Sequence, residues 1–182
     1  ILSGIQQSNF PIDYNEMDSV LKSYLNLVKI TPRRFMRIYP SDFIGPSSVT
    51  LQKINLIEDK NQLTPNVLTN YTVTEKADGM RKLLYISKNG KIYLISMNMN
   101  VEFTGARSKN SNLYNSLFDG EHVLYSKTKQ LLNLYLCFDA YFIQGKDIRE
   151  EPFIENKLDD KKVYRLKFAI ESFENMNTEY VS

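Results

Sequence analysis

Six short segments between residues 71 and 142 constrain the fold of this chain most, because they are rich in Tyr, Leu, Ile and Val. These residue types favour extended backbone, and we predict strands at 71–75, 81–88, 91–97, 113–118, 121–126 and 131–142. Asn89 and Gly90 join two of the segments, and both residue types tolerate the positive φ of a tight hairpin turn. The sequence therefore predicts an antiparallel sheet at the centre of the molecule.

Amphipathic helices are predicted before and after these strands. Apolar residues recur at helical spacing over residues 13–29, behind the capping residue Asp13. A second helix is predicted over 161–173, where its apolar side can cover one face of the sheet. The fold class is therefore α+β. We predict an N-terminal helix and connector at 1–38 and the functional domain at 39–182.

Composition limits the class of protein. At 182 residues and 42% hydrophobic content, the chain can bury a core of one domain, or of one domain plus an arm. Lys and Arg number 23 against 21 Asp and Glu, which provides no global field for nucleic acid. Residues 76–109 carry seven basic and two acidic residues, a pattern that suits phosphate contact but is more common on a solvated strand face.

The remaining composition bears on location. Cys137 is the single cysteine, so no internal disulfide can form, and we expect a structural thiol in a reducing compartment. No apolar stretch is long enough to span a bilayer, and the N-terminus lacks a secretory pattern, so no membrane partner is expected. The chain begins at Ile1 rather than Met, and we expect it to be part of a larger protein.

The sharpest motif lies where the first predicted strand ends and the second begins. It reads Glu75-Lys76-Ala77-Asp78-Gly79-Met80-Arg81. A lysine amine is a nucleophile only when neutral, and a neighbouring cation such as Arg81 favours that form. Asp and Gly predict a tight turn that lets the backbone approach a nucleotide, while Arg81 can bind ribose or phosphate oxygens. The alternative is a charged, solvated turn.

Two later segments add a carboxylate and an aromatic ring. Asp119-Gly120-Glu121 stands between two predicted strands, and Glu121 could bind a ribose hydroxyl or a divalent metal. Cys137-Phe138-Asp139-Ala140-Tyr141 closes an apolar strand, with Phe138 able to stack on a purine and Asp139 as a second candidate metal ligand. The alternatives are an ordinary turn and an ordinary core aromatic.

In this order the three segments resemble motifs I, III and IIIa of the covalent nucleotidyltransferases, which include DNA ligases, RNA ligases and mRNA guanylyltransferases. The resemblance implies the antiparallel, ATP-grasp-like core of that superfamily. In it, the motif I lysine attacks the nucleotide α-phosphate, pyrophosphate leaves, and the nucleotide then passes to a polynucleotide 5′ end. The implied catalytic residue is Lys76. The implied nucleotide-binding residues are Glu75, Asp78, Gly79, Arg81, Glu121 and Phe138, and the implied Mg²⁺ or Mn²⁺ ligands are Glu121 and Asp139.

Narrower features resemble capping enzymes more than ligases. Alanine follows Lys76, where ligases more often have an aromatic residue, and the segment 43–51 is similar to the Pro-Gly-Ala-Gln-Pro-Val-Ser stretch of capping enzymes. Only Gly45, Val49 and Thr50 align in that segment. Capping enzymes commonly have an arginine where this chain reads Ser96-Met97-Asn98, and Arg107, predicted in a surface loop, is a candidate replacement that would bind the nucleotide.

The Asn-, Lys- and Ile-rich composition resembles the capping enzymes of large cytoplasmic DNA viruses of the poxvirus, asfarvirus and mimivirus type. This implies GTP as substrate, an RNA 5′-diphosphate end as acceptor, a location in the host cytoplasm or virion, and RNA triphosphatase and methyltransferase domains in the same polypeptide. Motifs IV, V and VI do not occur, so we expect a partial domain. The alternatives are the adenylation domain of an ATP-dependent ligase and a non-catalytic scaffold domain of a capping complex.

His122 is the single histidine, and we predict a structural role for it. On a strand its side chain should point away from the face that carries Glu121. A Ser-His-Asp or zinc mechanism would need partners that a chain with one histidine lacks.

Overall fold

The computed structural model describes residues 2–6, 8–30, 38–58, 66–69, 71–155 and 164–181. Within these residues seven strands form one antiparallel sheet in the order β6-β5-β4-β1-β2-β3-β7. The strands are β1 (Met80–Ile86), β2 (Lys91–Ser96), β3 (Val101–Ser108), β4 (Ser116–Tyr125), β5 (Leu131–Ile143), β6 (Lys146–Asp147) and β7 (Thr178–Tyr180). The helices are α1 (Leu2–Gln6), α2 (Tyr14–Leu27) and α3 (Arg165–Glu174).

The chain divides into two compact units. The larger comprises Ile1–Ile44 and Asp78–Ser182 and contains the whole sheet. The smaller, Gly45–Ala77, contains a short 3₁₀ helix, Lys53–Leu56, beside which the amide of Val67 donates to the carbonyl of Asn55 at 2.9 Å. The domain boundary that we predicted between residues 38 and 39 stays a prediction.

Helix α2 covers one face of the sheet. It begins where the Asp13 side chain accepts a hydrogen bond from the amide of Glu16 at 2.7 Å, which satisfies a free amide of the first turn. Glu16 in turn receives hydrogen bonds from Lys91 at 2.8 Å and from the Tyr93 hydroxyl at 2.7 Å, both on β2. The core of this face includes Val20, Leu21, Tyr24, Leu25, Leu83, Tyr85, Tyr93, Ile95, Phe103 and Tyr141.

Helix α3 covers the opposite face. The residues of β1 and β2 that alternate with the first set point here, because successive side chains of a strand lie on opposite faces. The core of this face includes Leu84, Ile86, Ile92, Leu94, Phe118, Ala140, Ile148 and Ala169. The central strands are therefore buried on both faces, which accounts for their near-continuous apolar sequence.

Tyr24 fixes the chain that follows α2. Its side chain is fully buried, and its hydroxyl donates to the carbonyl of Asp42 at 2.8 Å and accepts from the amide of Ile44 at 2.9 Å. Burial raises the pKa of Tyr24 well above its usual range, so the hydroxyl stays protonated and can donate. A single phenol thus satisfies two backbone groups of the segment that leaves the helix.

We predict that Tyr24→Phe lowers the free energy of unfolding by about 2 kcal/mol, because the carbonyl of Asp42 and the amide of Ile44 lose their partner. Urea denaturation followed by circular dichroism measures the change. Tyr14→Phe is the matched control, since Tyr14 is 79% exposed, and it should change stability by less than about 0.5 kcal/mol. Equal stability of the two variants would contradict the structural role of the Tyr24 hydroxyl.

Most predicted elements are confirmed, with shifts at their ends. The helix predicted at 13–29 is α2, and the helix predicted at 161–173 forms from Arg165, with residues 161–163 outside the described part. The strands predicted at 81–88, 91–97 and 131–142 are β1, β2 and β5. Gly90 adopts a positive φ of 84° in the predicted hairpin turn.

Three predictions about strands were wrong. Residues 71–75 form no regular structure, and Val73 there is 97% exposed. The strands predicted at 113–118 and 121–126 are a single strand, β4, so Asp119-Gly120-Glu121 lies inside a strand rather than in a turn. Arg107 lies on β3 and not in a surface loop. A tripeptide of residue types that favour turns can continue a strand when strands pair with it on both sides. Here β1 and β5 flank it.

Ion pairs occupy much of the basic stretch at 76–109. Lys82 pairs with Glu102 at 2.7 Å, Lys91 with Glu16 at 2.8 Å, and Lys109 with Glu179 at 3.2 Å. Lys82 is buried, so its charge faces a carboxylate rather than solvent. The stretch therefore does not present a row of free cations.

Two single residues behave as predicted. His122 is buried, and its Nε2 lies 2.9 Å from Oδ1 of Asn133, in agreement with a structural role. Cys137 is free and partly buried, and burial raises the pKa of its thiol to about 12.

The described helices include none with the length and apolarity of a membrane span.

Candidate functional site

Within the larger unit, Gly79 lies just before β1 and meets Glu121 in the middle of β4. The amide of Gly79 donates to Oε1 of Glu121 at 3.0 Å. A Cβ atom at Gly79 would stand 2.5 Å from the backbone oxygen of His122, closer than real Cβ contacts allow. Glycine is required here for space, because the strand β4 backbone passes directly beside it.

Arg81 and Asp119 form the central ion pair of this site. Arg81 Nε donates to Oδ1 of Asp119 at 3.0 Å and its Nη2 to Oδ2 at 2.5 Å, a bidentate arrangement. The Asp119 side chain is 1% exposed. A carboxylate so far from water needs such a partner, because desolvation of an unpaired charge is costly.

Tyr141 is the second partner of Asp119. Its hydroxyl donates to Oδ2 of Asp119 at 2.5 Å and lies 3.5 Å from Nη2 of Arg81. Burial and the adjacent carboxylate raise the pKa of Tyr141, so the phenol keeps its proton. The hydrogen bonds to Asp119 also raise the pKa of Arg81. The guanidinium is thereby fixed as a cation at this end of the sheet, where its Cζ lies 5.7 Å from the centre of the Phe43 ring.

We predict that Asp119→Asn lowers the free energy of unfolding by about 3 kcal/mol, because Arg81 keeps its charge while its buried counterion is lost. Thermal and urea denaturation measure the change. Asp147→Asn is the matched control, since its partner Arg149 is 40% exposed, and it should cost under about 1 kcal/mol. A cost for Asp119→Asn no larger than that of the control would refute the structural weight given to this pair.

Phe138 occupies an irregularity in β5. Cys137 pairs with Gly120 and Asp139 with Asp119, which leaves Phe138 as the extra residue of a bulge. Bulges redirect side chains, and Phe138 is 38% exposed here. Leu132, Leu134 and Leu136 occupy every second position of β5 before Phe138, and they are also exposed. Leu136 pairs with Glu121, so an exposed aromatic and apolar row runs beside this carboxylate.

The candidate nucleophile and its neighbours are accessible. Glu75 and Lys76 are exposed residues of the smaller unit, and Nζ of Lys76 donates to the carbonyl of Ala77 at 3.2 Å. Asp78 is exposed and begins the second segment of the larger unit. All three precede Gly79 by one to four residues in the sequence.

Asp139, a predicted metal ligand, has an arginine as its partner in the structure. Its two oxygens accept hydrogen bonds from Nε and Nη2 of Arg165, at 2.8 and 3.1 Å. Arg165 also donates to the carbonyl of Glu151 at 2.6 Å, which ties α3 to the chain after β6. Within the described residues no three His, Cys, Asp or Glu side chains converge on a common point. The metal roles of Glu121 and Asp139 stay a prediction.

Arg107 does not join this cluster. In the register of β2 and β3, Arg107 lies opposite Lys91. Lys91 is beside the end of β1 at Ile86, whereas Arg81 lies at the start of β1. Five residues of strand separate these ends by about 17 Å, at ~3.3 Å per residue. Arg107 thus lies apart from the Arg81–Asp119 pair, and its nucleotide-binding role stays a prediction. Its Nε is buried without a hydrogen-bond partner among the described residues.

The partners of Arg81 were not predicted from the sequence. Asp119 precedes Glu121 by two residues, and on a continuous strand this spacing puts both carboxylates on one face. We did not use this spacing, because we predicted a turn at these residues. Tyr141 and Arg165 carry no local signal, because their contacts with Asp119 and Asp139 span 22 and 26 residues.

Comparison with known proteins gives a matching family and a similar viral protein. A family model described as "mRNA capping enzyme, catalytic domain" matches residues 9–178. The chain is also 32% identical over 145 residues to a protein of Acanthamoeba polyphaga mimivirus described as "Probable mRNA-capping enzyme". That alignment covers 80% of this chain and 11% of the relative, so the chain spans about a tenth of the relative's length.

Proposed function

Because this chain belongs to the mRNA capping enzyme family, we propose that it forms a covalent lysyl-GMP intermediate at Lys76 and transfers GMP to RNA. The observation that carries the proposal is the hydrogen bond from the Gly79 amide to Glu121. It joins the end of the lysine motif to the Asp-Gly-Glu segment, and the Arg81–Asp119 pair supports the same junction.

The proposed first step is a displacement at the α-phosphorus of GTP. The neutral Nζ of Lys76 forms a P–N bond, the bond from the α-phosphorus to the β-phosphate oxygen breaks, and pyrophosphate leaves with that electron pair. The amine loses one proton. In the second step a terminal phosphate oxygen of a 5′-diphosphate RNA attacks the same phosphorus, the P–N bond breaks, and the lysine amine regains a proton.

The surrounding side chains supply binding in this proposal. Arg81 is held as a cation by Asp119, and we assign it to the ribose or phosphate oxygens of GTP. Glu121 keeps a second carboxylate oxygen for a ribose hydroxyl while the first accepts from Gly79. Phe138 offers an exposed ring for stacking on guanine. Asp78 and Glu75 stay candidates for nucleotide contact on the strength of their place in the motif.

The wider context is also part of the proposal. We infer that RNA triphosphatase and methyltransferase activities accompany this domain in one polypeptide, as the resemblance to viral capping enzymes implies. We likewise expect the reaction in the host cytoplasm or in the virion. Mg²⁺ or Mn²⁺ is expected with the GTP phosphates, although the described carboxylates offer no cage for it.

Intact-protein mass spectrometry after incubation with GTP, with and without MgCl₂ or MnCl₂, tests the covalent step. We predict a GMP adduct on the wild-type protein and its complete loss in Lys76→Ala, because no other amine replaces the nucleophile. Lys127→Ala, at an exposed turn between β4 and β5, is the matched control and should keep the adduct. Both the 182-residue chain and the longest natural polypeptide that contains it should be assayed.

The alternatives give different outcomes in the same assay. An AMP adduct from ATP, in place of a GMP adduct, would identify a ligase-type adenylation domain. An adduct that survives in Lys76→Ala would remove Lys76 from the mechanism. No adduct on either polypeptide would favour the non-catalytic scaffold.

A further inference from the structure

We propose that a second cleft, distant from Gly79, binds a nucleobase of single-stranded RNA. The cleft has a volume of about 740 Å³ and opens at the end of the sheet where β3 and β5 finish and β4 begins. It lies entirely within the larger unit. The first residue of β4 pairs with Ile86 at the end of β1. Arg81 lies five residues away at the start of β1, about 17 Å along the strand.

The walls of the cleft combine apolar side chains with neutral amides. Leu113, Ile143 and Phe168 provide apolar surface, with Phe168 from α3 as the aromatic ring. The amide side chains come from three separate elements of the fold. They are Asn110, Asn112, Gln144, Asn175 and Asn177. A volume of this size lies within the usual range for small-molecule sites.

Several of these amides are fixed in place by the fold. Oδ1 of Asn110 accepts from the amide of Asn112 at 3.0 Å, and its Nδ2 donates to the carbonyl of Asn175 at 3.3 Å. Nδ2 of Asn175 donates to the carbonyl of Glu171 at 2.7 Å, at the end of α3. The rim of the cleft is therefore ordered before any ligand binds, which lowers the entropic cost of binding.

Other amide groups keep free hydrogen-bonding capacity. Nε2 of Gln144 donates to Oδ1 of Asn112 at 3.3 Å, which leaves Oε1 of Gln144 and Nδ2 of Asn112 without a partner among the described residues. The side chain of Asn177 makes no hydrogen bond within the same residues. The cleft thus offers both donors and acceptors beside an aromatic ring.

This chemistry fits a nucleobase better than a triphosphate. The lining has one cation, Lys109, and one anion, Glu171, and each has an ion-pair partner of its own, Glu179 and Lys167. A triphosphate requires an excess of cations, whereas an unstacked RNA base is recognised by aromatic contact and by hydrogen bonds to its edges. Asparagine and glutamine amides present the paired donor and acceptor that a base edge needs. Lys109 forms an exposed ion pair with Glu179 at 3.2 Å, and such a pair is weak enough for a flanking phosphate to replace the carboxylate.

The inference deepens the proposed function, because it gives the RNA acceptor a contact away from the reacting 5′ end. It rests on membership of a family that acts on mRNA, and it requires no adduct at Lys76. The two proposals can therefore fail separately.

Fluorescence anisotropy with a labelled, short single-stranded RNA bearing a 5′-hydroxyl end tests the cleft without GTP and without transfer. We predict that Asn177→Ala and Lys109→Ala each raise the Kd about fivefold, as expected for the loss of one net hydrogen bond or phosphate contact. Asn98→Ala and Lys127→Ala, both at exposed turns elsewhere, are the matched controls and should leave the Kd unchanged.

A photocrosslink locates the contact independently. RNA containing 5-iodouracil should label peptides that include residues 109–113 or 168–177, and excess GTP should not reduce the labelling. The proposal is overturned if the RNA does not bind, if the two cleft variants match their controls, or if the crosslinks fall elsewhere. Competition by GTP would also overturn it. An absent lysyl-GMP adduct together with intact, cleft-dependent RNA binding would instead reject the proposed guanylylation alone.

Discussion

The ion pair between Arg81 and Asp119 holds together the part of the sheet on which the candidate site depends. Asp119 lies on β4, and its two partners, Arg81 and Tyr141, come from the strands on either side. A buried carboxylate without these partners would strongly disfavour the folded state. One charge therefore couples the pairing of three strands to the position of the Arg81 guanidinium.

Local sequence predicted the sheet because strand residues and the hairpin turn each carry their own signal. It failed where long-range pairing decides the outcome. Asp119-Gly120-Glu121 has the composition of a turn, yet β1 and β5 flank it and keep it extended. Gly120 suits this position because the Tyr135 ring occupies the space where its Cβ would be, at 2.4 Å. Residues 71–75 have strand composition, but none of the described strands pairs with them.

The candidate site was predicted in part for the same reason. Its motif residues are recognisable one by one, so Arg81, Glu121 and Phe138 could be named from the sequence. Their partners depend on register, which a single sequence does not specify at long range. Asp139 illustrates the limit, since its partner Arg165 comes from α3, 26 residues further along the chain. Arg107 was predicted as a loop cation because β3 was missed.

The space beside Gly79 has a consequence for how this motif can vary. Its missing side chain is replaced by the backbone of His122 on another strand, and not by a special turn conformation. Any larger residue at position 79 would have to displace β4, and with it Glu121 and Asp119. The glycine of the lysine motif and the path of β4 are therefore sterically coupled. Change in either is constrained by the other, even though 42 residues of sequence separate Gly79 from Glu121.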